Sequence, residues 1–364
     1  MGPDFSLQTP LRTTPVYRHY IWGGARLGEL LGKPLGPEGT LAESWEVGDD
    51  ALVAEGSWAG RTLRAVDEET KGALRGDAPS YPHARLPLLI KLSDAAADLS
   101  IQIHPTDDQA LRGEPDRGYP GKAEMYLILQ AAPGAGVYWG LRGGVTAAQL
   151  GEACRTGLGV PDLIDFVPVK TGDVLYSPAG VVHAIGKGIV YCEVQENSDI
   201  TYRLYDWGRV GADGKPRELH IERGLAVLAK KKRKTARVEP QSLPLEGGRR
   251  QILCACPHFA VELIELDGTA SLGRARAALR AVVVLEGEVT LGGGAEAGEA
   301  VCRKGQSAVL PAPLTNPIAS GAAGTRLLYA YLPDLKADIV APLRAAGHDA
   351  AAIAQLGDVG RIAR

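Results

Sequence analysis

The chain is dominated by short runs in which apolar and polar residues alternate. In the stretch LSIQIH, residues 99–104, every second residue is apolar. Side chains of a β-strand project alternately to its two faces, so this pattern predicts a strand with one apolar and one polar face. Between closely spaced glycine and proline residues, further strands are predicted at 85–92, 124–131, 136–141, 172–178, 188–195 and 200–207. Such a series of short strands indicates a mainly β fold, as a sandwich or a barrel.

Helical periodicity is confined to a few segments. Apolar residues recur every three to four positions in 61–76, 146–157 and 217–231, which predicts three helices. Thr146 precedes the second of these segments and is suited to cap its first turn. Residues 336–364 are rich in alanine, so this last segment is expected to form a helical tail.

A change in composition separates two strand-rich parts of the chain. The stretch 229–250 is basic, contains proline and glycine and has few apolar residues, which is typical of a solvated linker. A nuclear import signal or a phosphate-binding patch would share this composition. We therefore expect a first domain with helical insertions at 1–228, the linker at 229–250, a second barrel at 251–335 and the tail at 336–364.

The two strand-rich parts are weakly similar to each other. VKTGDVLYSPAGVVHAI in the first and CRKGQSAVLPAPLTNPI in the second share a basic residue, a glycine two positions later and a proline after five more residues. The second part has no histidine at the position of His183. A duplication whose second copy has lost its polar site would produce this pattern.

Composition and charge narrow the classes of function. With 364 residues, 45% apolar and 23% charged, the chain has the composition of an ordinary globular protein. Its formal net charge of −3 argues against general binding to nucleic acid or to an anionic membrane.

No apolar run approaches the roughly 20 residues that cross a bilayer, and the N-terminal residues lack the apolar core of a signal peptide. The five cysteines form no CxxC pair, so we expect buried, reduced thiols in a cytoplasmic protein.

Two of the seven histidines lie among polar residues that suit a metal site. Gln102 and His104 share the polar face of the strand described above, and Glu124 begins another predicted strand. His183 closes the pattern G-x5-P-x-G-x2-H, which matches the second cupin motif at every fixed position except its final Asn. A barrel lined by two imidazoles, a carboxylate and an amide suits a divalent cation. Imidazole and carboxylate fit Zn²⁺, while the amide leaves Mn²⁺, Fe²⁺ or Ni²⁺ open.

In order and content, several segments resemble the short bacterial form of the type I mannose-6-phosphate isomerases, a family of zinc-dependent cupin enzymes. The similarity covers most of residues 15–230 and rests on YIWGGARLGELLG, LAESWEVG, PLLIKLSDAAADLSIQIHPTDDQA, GKAEMYLIL, GDVLYSPAGVVHAIGKGIVYCEVQENSDITYRLYDWGR and RELHIERGLAVL. It implies two cupin (jelly-roll) barrels with a few additional helices, the second barrel being degenerate. It also implies that Gln102, His104, Glu124 and His183 bind one Zn²⁺ per chain.

The resemblance implies an aldose–ketose isomerase that interconverts D-mannose 6-phosphate and D-fructose 6-phosphate through an enediol-type intermediate. Arg203 would lie beside the substrate as a catalytic residue, where its charge and that of the cation stabilise negative charge on the sugar oxygens. A base must also move a proton between C2 and C1. The sequence leaves that base open between Lys122 and Glu193.

The phosphate of such a substrate needs hydrogen-bond donors away from the metal, and the resemblance suggests Ser100, Lys91 and Arg209. Two other interpretations are kept. One is a metal-dependent cupin isomerase for an unphosphorylated sugar, and the other is a non-catalytic, sugar-binding bicupin. We expect no nucleic-acid or membrane partner, and the sequence does not choose between a monomer and a weak dimer.

Overall fold

The structure, a computed structural model, describes residues 7–76, 85–211, 214–229, 235–273, 277–294, 297–360 and 362–363. The strands before residue 210 are β1 (Leu11–Thr14), β2 (Val16–Arg18), β3 (Glu43–Val47), β4 (Leu52–Val53), β5 (Leu88–Ala95), β6 (Ile101–Ile103), β7 (Glu124–Ala131), β8 (Gly136–Leu141), β9 (Ile164–Pro168), β10 (Val174–Ser177), β11 (His183–Ile185), β12 (Ile189–Glu196) and β13 (Tyr202–Tyr205). The later strands are β14 (Gln241–Leu245), β15 (Gly248–Ala255), β16 (Ala260–Ser271), β17 (Arg280–Glu286), β18 (Glu288–Gly292), β19 (Ala300–Arg303), β20 (Ser307–Leu310) and β21 (Ile318–Tyr331). The α-helices are α1 (Arg26–Leu31), α2 (Leu63–Glu69), α3 (Asp107–Gly113), α4 (Ala147–Thr156), α5 (Ile221–Ala226), α6 (Ala341–Ala345) and α7 (Ala350–Ile353).

Two antiparallel sheets form the first barrel. One has six strands in the order β10-β7-β12-β5-β3-β2, and the other has five in the order β13-β6-β11-β8-β9. Their facing sides share an apolar core, to which β7 and β12 contribute Ile128 and Tyr191, and β8 and β11 contribute Val137 and Ile185. Inward-pointing polar side chains of the two sheets therefore meet in the same interior.

A third sheet of ten strands makes up most of the second barrel. Its main path is β14-β15-β16-β21-β17-β20-β1-β4, and β18 pairs with both β19 and β21 beside it. The N-terminal strand β1 belongs to this sheet, because Leu11 pairs with Val309 of β20. One apolar cluster continues from Leu88 of β5 to Phe259 and Val283 of the C-terminal half. The two halves thus share a core, and the domain boundaries expected from composition stay a prediction.

The predicted mainly β fold, with two barrels and few helices, is confirmed. The helix predicted at 146–157 is α4, and Thr146 caps it by accepting a hydrogen bond from the backbone N–H of Gln149 at 3.2 Å. All five cysteines are buried free thiols, as expected. Among the described residues, no helix is long and apolar enough to cross a membrane.

The helix predicted at 217–231 is shorter in the structure, where it is limited to α5. Residues 217–220 are not helical and lie beside β13, since the backbone N–H of His220 donates to the carbonyl of Arg203 at 2.7 Å. This contact with a strand replaces the first helical turn that the apolar spacing indicated.

The predicted linker contains more regular structure than its composition indicates. Residues 230–234, which hold the centre of the basic run, lie outside the described residues. Its last part is a hairpin, in which Gln241 of β14 pairs with Ile252 and Leu245 pairs with Gly248 of β15. Because β14 is an edge strand, the missing N–H of Pro244 breaks no ladder in the sheet interior. The proline and glycine residues that suggested a linker therefore lie in an edge strand and in the turn that follows it.

An ion pair joins the C-terminal half to the first barrel. His258 Nδ1 lies 2.9 Å from Glu196 Oε1 and 3.9 Å from Asp107 Oδ2. Glu196 is only 1% exposed, and its other oxygen accepts a hydrogen bond from the backbone N–H of Ala123. Burial alone would lower the pKa of His258, but the hydrogen bond and charge of Glu196 raise it overall. These three groups are close enough to share a cation, and the raised pKa of His258 favours the charged ring, which places one positive charge beside the two carboxylates.

Removing this imidazole should destabilise the protein. In His258→Gln the buried Glu196 carboxylate loses its charged partner, and we expect the free energy of unfolding to fall by about 1–3 kcal/mol. Folding raises the pKa of His258, so the stabilisation is full below the unfolded value of about 6.5 and declines as pH rises through the folded value. Denaturant titrations near pH 6 and near pH 9 would measure this, with Glu196→Gln and the double variant completing the cycle. An equal loss at both pH values would contradict the ion pair.

Candidate metal centre and substrate cavity

A row of polar side chains crosses the five-stranded sheet. Gln102 of β6 is paired on one side with His183 of β11 and on the other with Arg203 of β13. Residues directly opposite each other on paired strands project from the same face of a sheet. His104 follows two positions after Gln102, so the strand alternation turns it to this face as well. Strand register thus brings together predicted site residues that are about 80 to 100 positions apart in the chain.

A second row faces the first from the six-stranded sheet. Glu193 of β12 pairs with Lys91 of β5 on one side and with Tyr126 of β7 on the other. Glu124 lies two residues before Tyr126, whose hydroxyl donates a hydrogen bond to the Glu124 carboxylate. Lys122 lies two residues before Glu124, so the same alternation turns its side chain to this face. All of these residues are buried, and Glu124 is fully so.

The Glu124 carboxylate lies between the two imidazoles. Its Oε1 is 3.4 Å from His104 Nε2, and its Oε2 is 3.0 Å from His183 Nε2. The Lys122 ammonium contacts Glu124 Oε1 and lies 3.4 Å from His104 Nε2. Three potential metal ligands, contributed by both sheets, therefore converge on one buried point.

The outer nitrogens of the imidazoles define their protonation. His104 Nδ1 lies 2.9 Å from the carbonyl oxygen of Ile200, and His183 Nδ1 lies 2.9 Å from that of Val181. A carbonyl oxygen only accepts hydrogen bonds, so each Nδ1 carries the proton and each Nε2 presents a lone pair toward Glu124. His183 Nε2 is buried and makes no hydrogen bond with any described residue. Lone pairs that face a carboxylate repel it unless a cation lies between them, so this arrangement fits a metal ion.

The donor set also fits the chemistry of zinc. Burial, followed by the charge of Lys122, lowers the pKa of His104 to about 4, so its ring is neutral near pH 7. Neutral imidazoles and a carboxylate are typical zinc ligands. Gln102, the sheet neighbour of His183, can supply an amide oxygen as a fourth donor.

A cavity of about 440 Å³ lies beside this cluster. Most of the predicted catalytic and phosphate residues line it, together with one predicted metal ligand: Lys91, Ser100, Gln102, Lys122, Glu193 and Arg203. Tyr20, Trp22 and Trp45 are among its aromatic wall residues. Aromatic walls with a few converging polar groups are typical of a small-molecule site.

A larger cavity of about 510 Å³ lies elsewhere, between Trp139, Phe166 and Leu228. Asp165 is the one charged side chain among its described lining residues. The smaller cavity, with its many ionisable groups, is therefore the better candidate for chemistry.

Both candidate bases are in place beside the cavity. Burial raises the pKa of Glu193 to about 8, although the Lys91 ammonium, 3.5 Å from its Oε2, opposes this shift. Burial alone would lower the pKa of Lys91, but Glu193 and the neighbouring carboxylates raise it, so Lys91 stays a cation. Lys122 lies against Glu124, as described above. The geometry leaves the choice between Lys122 and Glu193 open.

The residues predicted to bind phosphate have different surroundings. Ser100 and Lys91 line the cavity. Arg209 is not among the described residues that line it, because its guanidinium donates to the carbonyl of Asp98 and to the carboxylate of Asp206, each at 2.6 Å. Direct phosphate binding by Arg209 stays a prediction.

Three basic residues that the sequence pattern did not indicate also line the cavity, namely Arg117 and the neighbouring Arg217 and His220. Arg203 is hydrogen-bonded to the segment that contains Arg217 and His220. Its backbone N–H donates to His220 Nδ1 at 3.3 Å, and its guanidinium donates to the carbonyl of Glu218 at 3.0 Å. The apolar spacing that indicated a helix from residue 217 obscured Arg217 and His220. Their signal was the arginine and the imidazole of RELH, which are among the first four residues of that predicted helix.

Comparison with known proteins finds relatives of this chain. A family model, phosphomannose isomerase type I, catalytic domain, matches residues 11–133. Mannose-6-phosphate isomerase ManA of Bacillus subtilis is 36% identical over 295 residues, which are 77% of this chain and 86% of that protein. The crystal structure of the Bacillus subtilis mannose 6-phosphate isomerase has a TM-score of 0.76 and 28% identity, covering 89% of this chain and 100% of that one. A zinc-bound mannose 6-phosphate isomerase shares the fold, with a TM-score of 0.70 and 20% identity over 89% of this chain and 100% of its own.

Proposed function

Because the chain belongs to the type I mannose-6-phosphate isomerase family, we propose that it interconverts D-mannose 6-phosphate and D-fructose 6-phosphate. The observation that carries this proposal is the convergence of His104, Glu124 and His183 beside a cavity that Arg203 lines. An aldose becomes a ketose when a proton leaves C2 and a proton is added at C1. The site must therefore stabilise negative charge on oxygen and move a proton between two carbons.

We assign one zinc ion per chain to the ligands Gln102, His104, Glu124 and His183. When bound, zinc supplies a Lewis acid that polarises the oxygens at C1 and C2 of the sugar. The backbone carbonyls of Ile200 and Val181 keep the two imidazoles in the tautomer that binds metal. Tyr126 holds the carboxylate of Glu124 in place.

Arg203 provides the second positive charge. Its position beside Gln102 in the sheet places it next to the metal ligands, and its bond to the Glu218 carbonyl restricts the guanidinium. A fixed donor of this kind stabilises charge that develops on the sugar oxygens without reorganising during the reaction. Lys122 or Glu193 carries the proton between C2 and C1.

Ser100 and Lys91 are our candidates for the phosphate group, with Arg209 as a more distant cation. Lys91 is held over the ring of Trp45, 5.1 Å from its centroid, and so keeps its charge at the cavity wall. We also propose a cytoplasmic location, which the five buried free thiols support, because reduced cysteines persist in that compartment.

One coupled assay tests the proposed function. Purified protein is offered mannose 6-phosphate and then free mannose, each with and without a metal chelator, while fructose 6-phosphate or fructose is detected enzymatically. We expect rapid, chelator-sensitive turnover of mannose 6-phosphate. Turnover of free mannose alone would instead indicate an isomerase for an unphosphorylated sugar. Binding of sugar without any turnover would indicate a sugar-binding bicupin.

Isotope exchange separates the two candidate bases. Glu193→Gln and Lys122→Met are compared with wild type in deuterium oxide, and mass spectrometry measures the deuterium gained per turnover at the exchanged carbon. We expect the loss of the base to lower kcat by about 10²-fold, at the lower end for acid–base catalysis, and to abolish carbon-bound exchange. The other variant should keep the wild-type ratio of exchange to turnover. Bound zinc is measured in both, and normal exchange in both variants would exclude these residues as the base.

A further inference from the structure

Two guanidinium groups contact the carboxylate of Asp206 at one end of the cavity, and a third lies near them. Arg217 donates two hydrogen bonds to the carboxylate of Asp206, from Nε to Oδ2 at 2.8 Å and from a terminal nitrogen to Oδ1 at 2.5 Å. Arg209 also donates to Asp206 Oδ1 at 2.6 Å. Arg203 lies close enough that burial, followed by the charge of Arg217, lowers its pKa. The three arginines outnumber Asp206 and Glu218, the two carboxylates whose charges act on Arg203, so this region attracts anions.

Only part of this cluster faces the cavity. Arg203 and Arg217 line it, whereas Arg209 is turned to the carbonyl of Asp98. Asp206 is buried, at 6% exposure, and accepts hydrogen bonds from two of the three guanidinium nitrogens of Arg217. The third nitrogen of Arg217 has no acceptor among the described residues. Arg217 therefore presents a preoriented, unsatisfied donor to a molecule in the cavity.

Sheet register relates this cluster to the polar row. Tyr205 of β13 lies opposite Ile101 of β6, so Asp206 comes beside Ser100. The Trp207 indole N–H donates to the carbonyl of Leu99 at 2.8 Å and holds the two segments together. Because strands rise about 3.3 Å per residue, Ser100 is about 7 Å along β6 from the metal ligand Gln102. The arginine cluster and Ser100 thus lie toward the same end of the cavity, away from the metal ligands.

We propose that Arg217 binds the phosphate group of the sugar substrate and makes the enzyme selective for a phosphorylated sugar. This inference rests on the proposed function. A phosphate monoester carries about −1.5 to −2 charges at neutral pH and three acceptor oxygens, which suit a group of arginines with a positive surplus and a guanidinium fork. Asp206 is then a positioning residue, which orients Arg217 and keeps the three cations together.

The test compares Arg217→Gln with Arg223→Gln. Arg223 is six residues along the chain, has a side chain that is 64% exposed and pairs weakly with Glu114 at 3.5 Å, so it controls for loss of one nearby arginine. For Arg217→Gln we expect KM for mannose 6-phosphate to rise about 10–100-fold, which is the range for the loss of one charge-assisted hydrogen bond. The value of kcat should change by less than about threefold, since this bond is made equally in the bound substrate and in the transition state. The residual rate on free mannose should not change. Arg217→Lys should recover part of the affinity, because it restores the charge but not the fork.

Inorganic phosphate provides a readout that does not depend on turnover. Calorimetric titration should show weaker phosphate binding to Arg217→Gln than to wild type and to Arg223→Gln. Equal losses of kcat/KM on mannose 6-phosphate and on free mannose would overturn the proposal, and so would a larger rise in KM in Arg209→Gln than in Arg217→Gln. If wild type bound phosphate through Arg217 but did not isomerise mannose 6-phosphate, the phosphate site would stand and the proposed function would fail.

Discussion

Replacing His183 with alanine is expected to remove the bound zinc and to lower kcat/KM for mannose 6-phosphate by at least about 10³-fold. His183 Nε2 lies 3.0 Å from Glu124 Oε2 and presents its lone pair to the proposed metal position. Without this nitrogen, the proposed site keeps only Glu124, His104 and the amide of Gln102 as ligands. Metal polarisation of the substrate oxygens is worth several kcal/mol, and each 1.36 kcal/mol corresponds to a tenfold change in rate. Zinc content after dialysis and steady-state kinetics measure the two effects together.

A matched control separates the loss of a ligand from the loss of a histidine. His348→Ala removes an exposed ring that contacts the Ser242 carbonyl in the C-terminal half, so zinc content and kinetics should match wild type. Thermal unfolding of both variants checks that the fold is retained. His183→Ala with one zinc bound at wild-type affinity would contradict the assignment of this residue.

Arg203→Ala should lower kcat by about 10²–10³-fold, the range for removing one fixed donor to a developing negative charge. Zinc binding should be unaffected, because Arg203 lies beside the proposed ligand Gln102 and is not itself a proposed ligand. Arg203→Lys keeps the charge but loses the planar fork, so its kcat should fall between those of alanine and wild type. Kinetics on mannose 6-phosphate measure these values.

A different result for Arg203→Ala would indicate a different class of protein. A sugar-binding bicupin has no developing charge to stabilise, so Arg203→Ala would leave its affinity for a neutral sugar largely intact. An unchanged kcat for Arg203→Ala would contradict the mechanism proposed above, even with zinc in place.

Local alternation predicts which neighbouring residues share a face. Gln102 and His104 are two positions apart, as are Lys122 and Glu124, and each pair projects into the same cluster. Strand geometry alone accounts for this, since side chains repeat every two residues. The buried, mainly β architecture follows from the same pattern, because closely spaced amphipathic strands can bury their apolar faces only against each other.

Pairing between distant strands is harder to predict from the chain. Alternation indicates a face but not a partner, so the sequence did not indicate that β1 joins the C-terminal sheet through Leu11 and Val309. The same limit applies to His258, which reaches Glu196 across the two halves. Arg217 was obscured for a different reason. Its segment has helical spacing, but a backbone hydrogen bond joins it to β13, and the Arg217 side chain lines the cavity.

We propose that isomerisation depends on one cation held between Glu124 and the imidazoles of His104 and His183. Zinc titration into chelator-treated protein, with turnover of mannose 6-phosphate followed at each addition, tests it most directly. We expect activity that rises in proportion to added zinc and stops rising at one ion per chain. Full turnover before any zinc is added, with none detected in the protein, would contradict it.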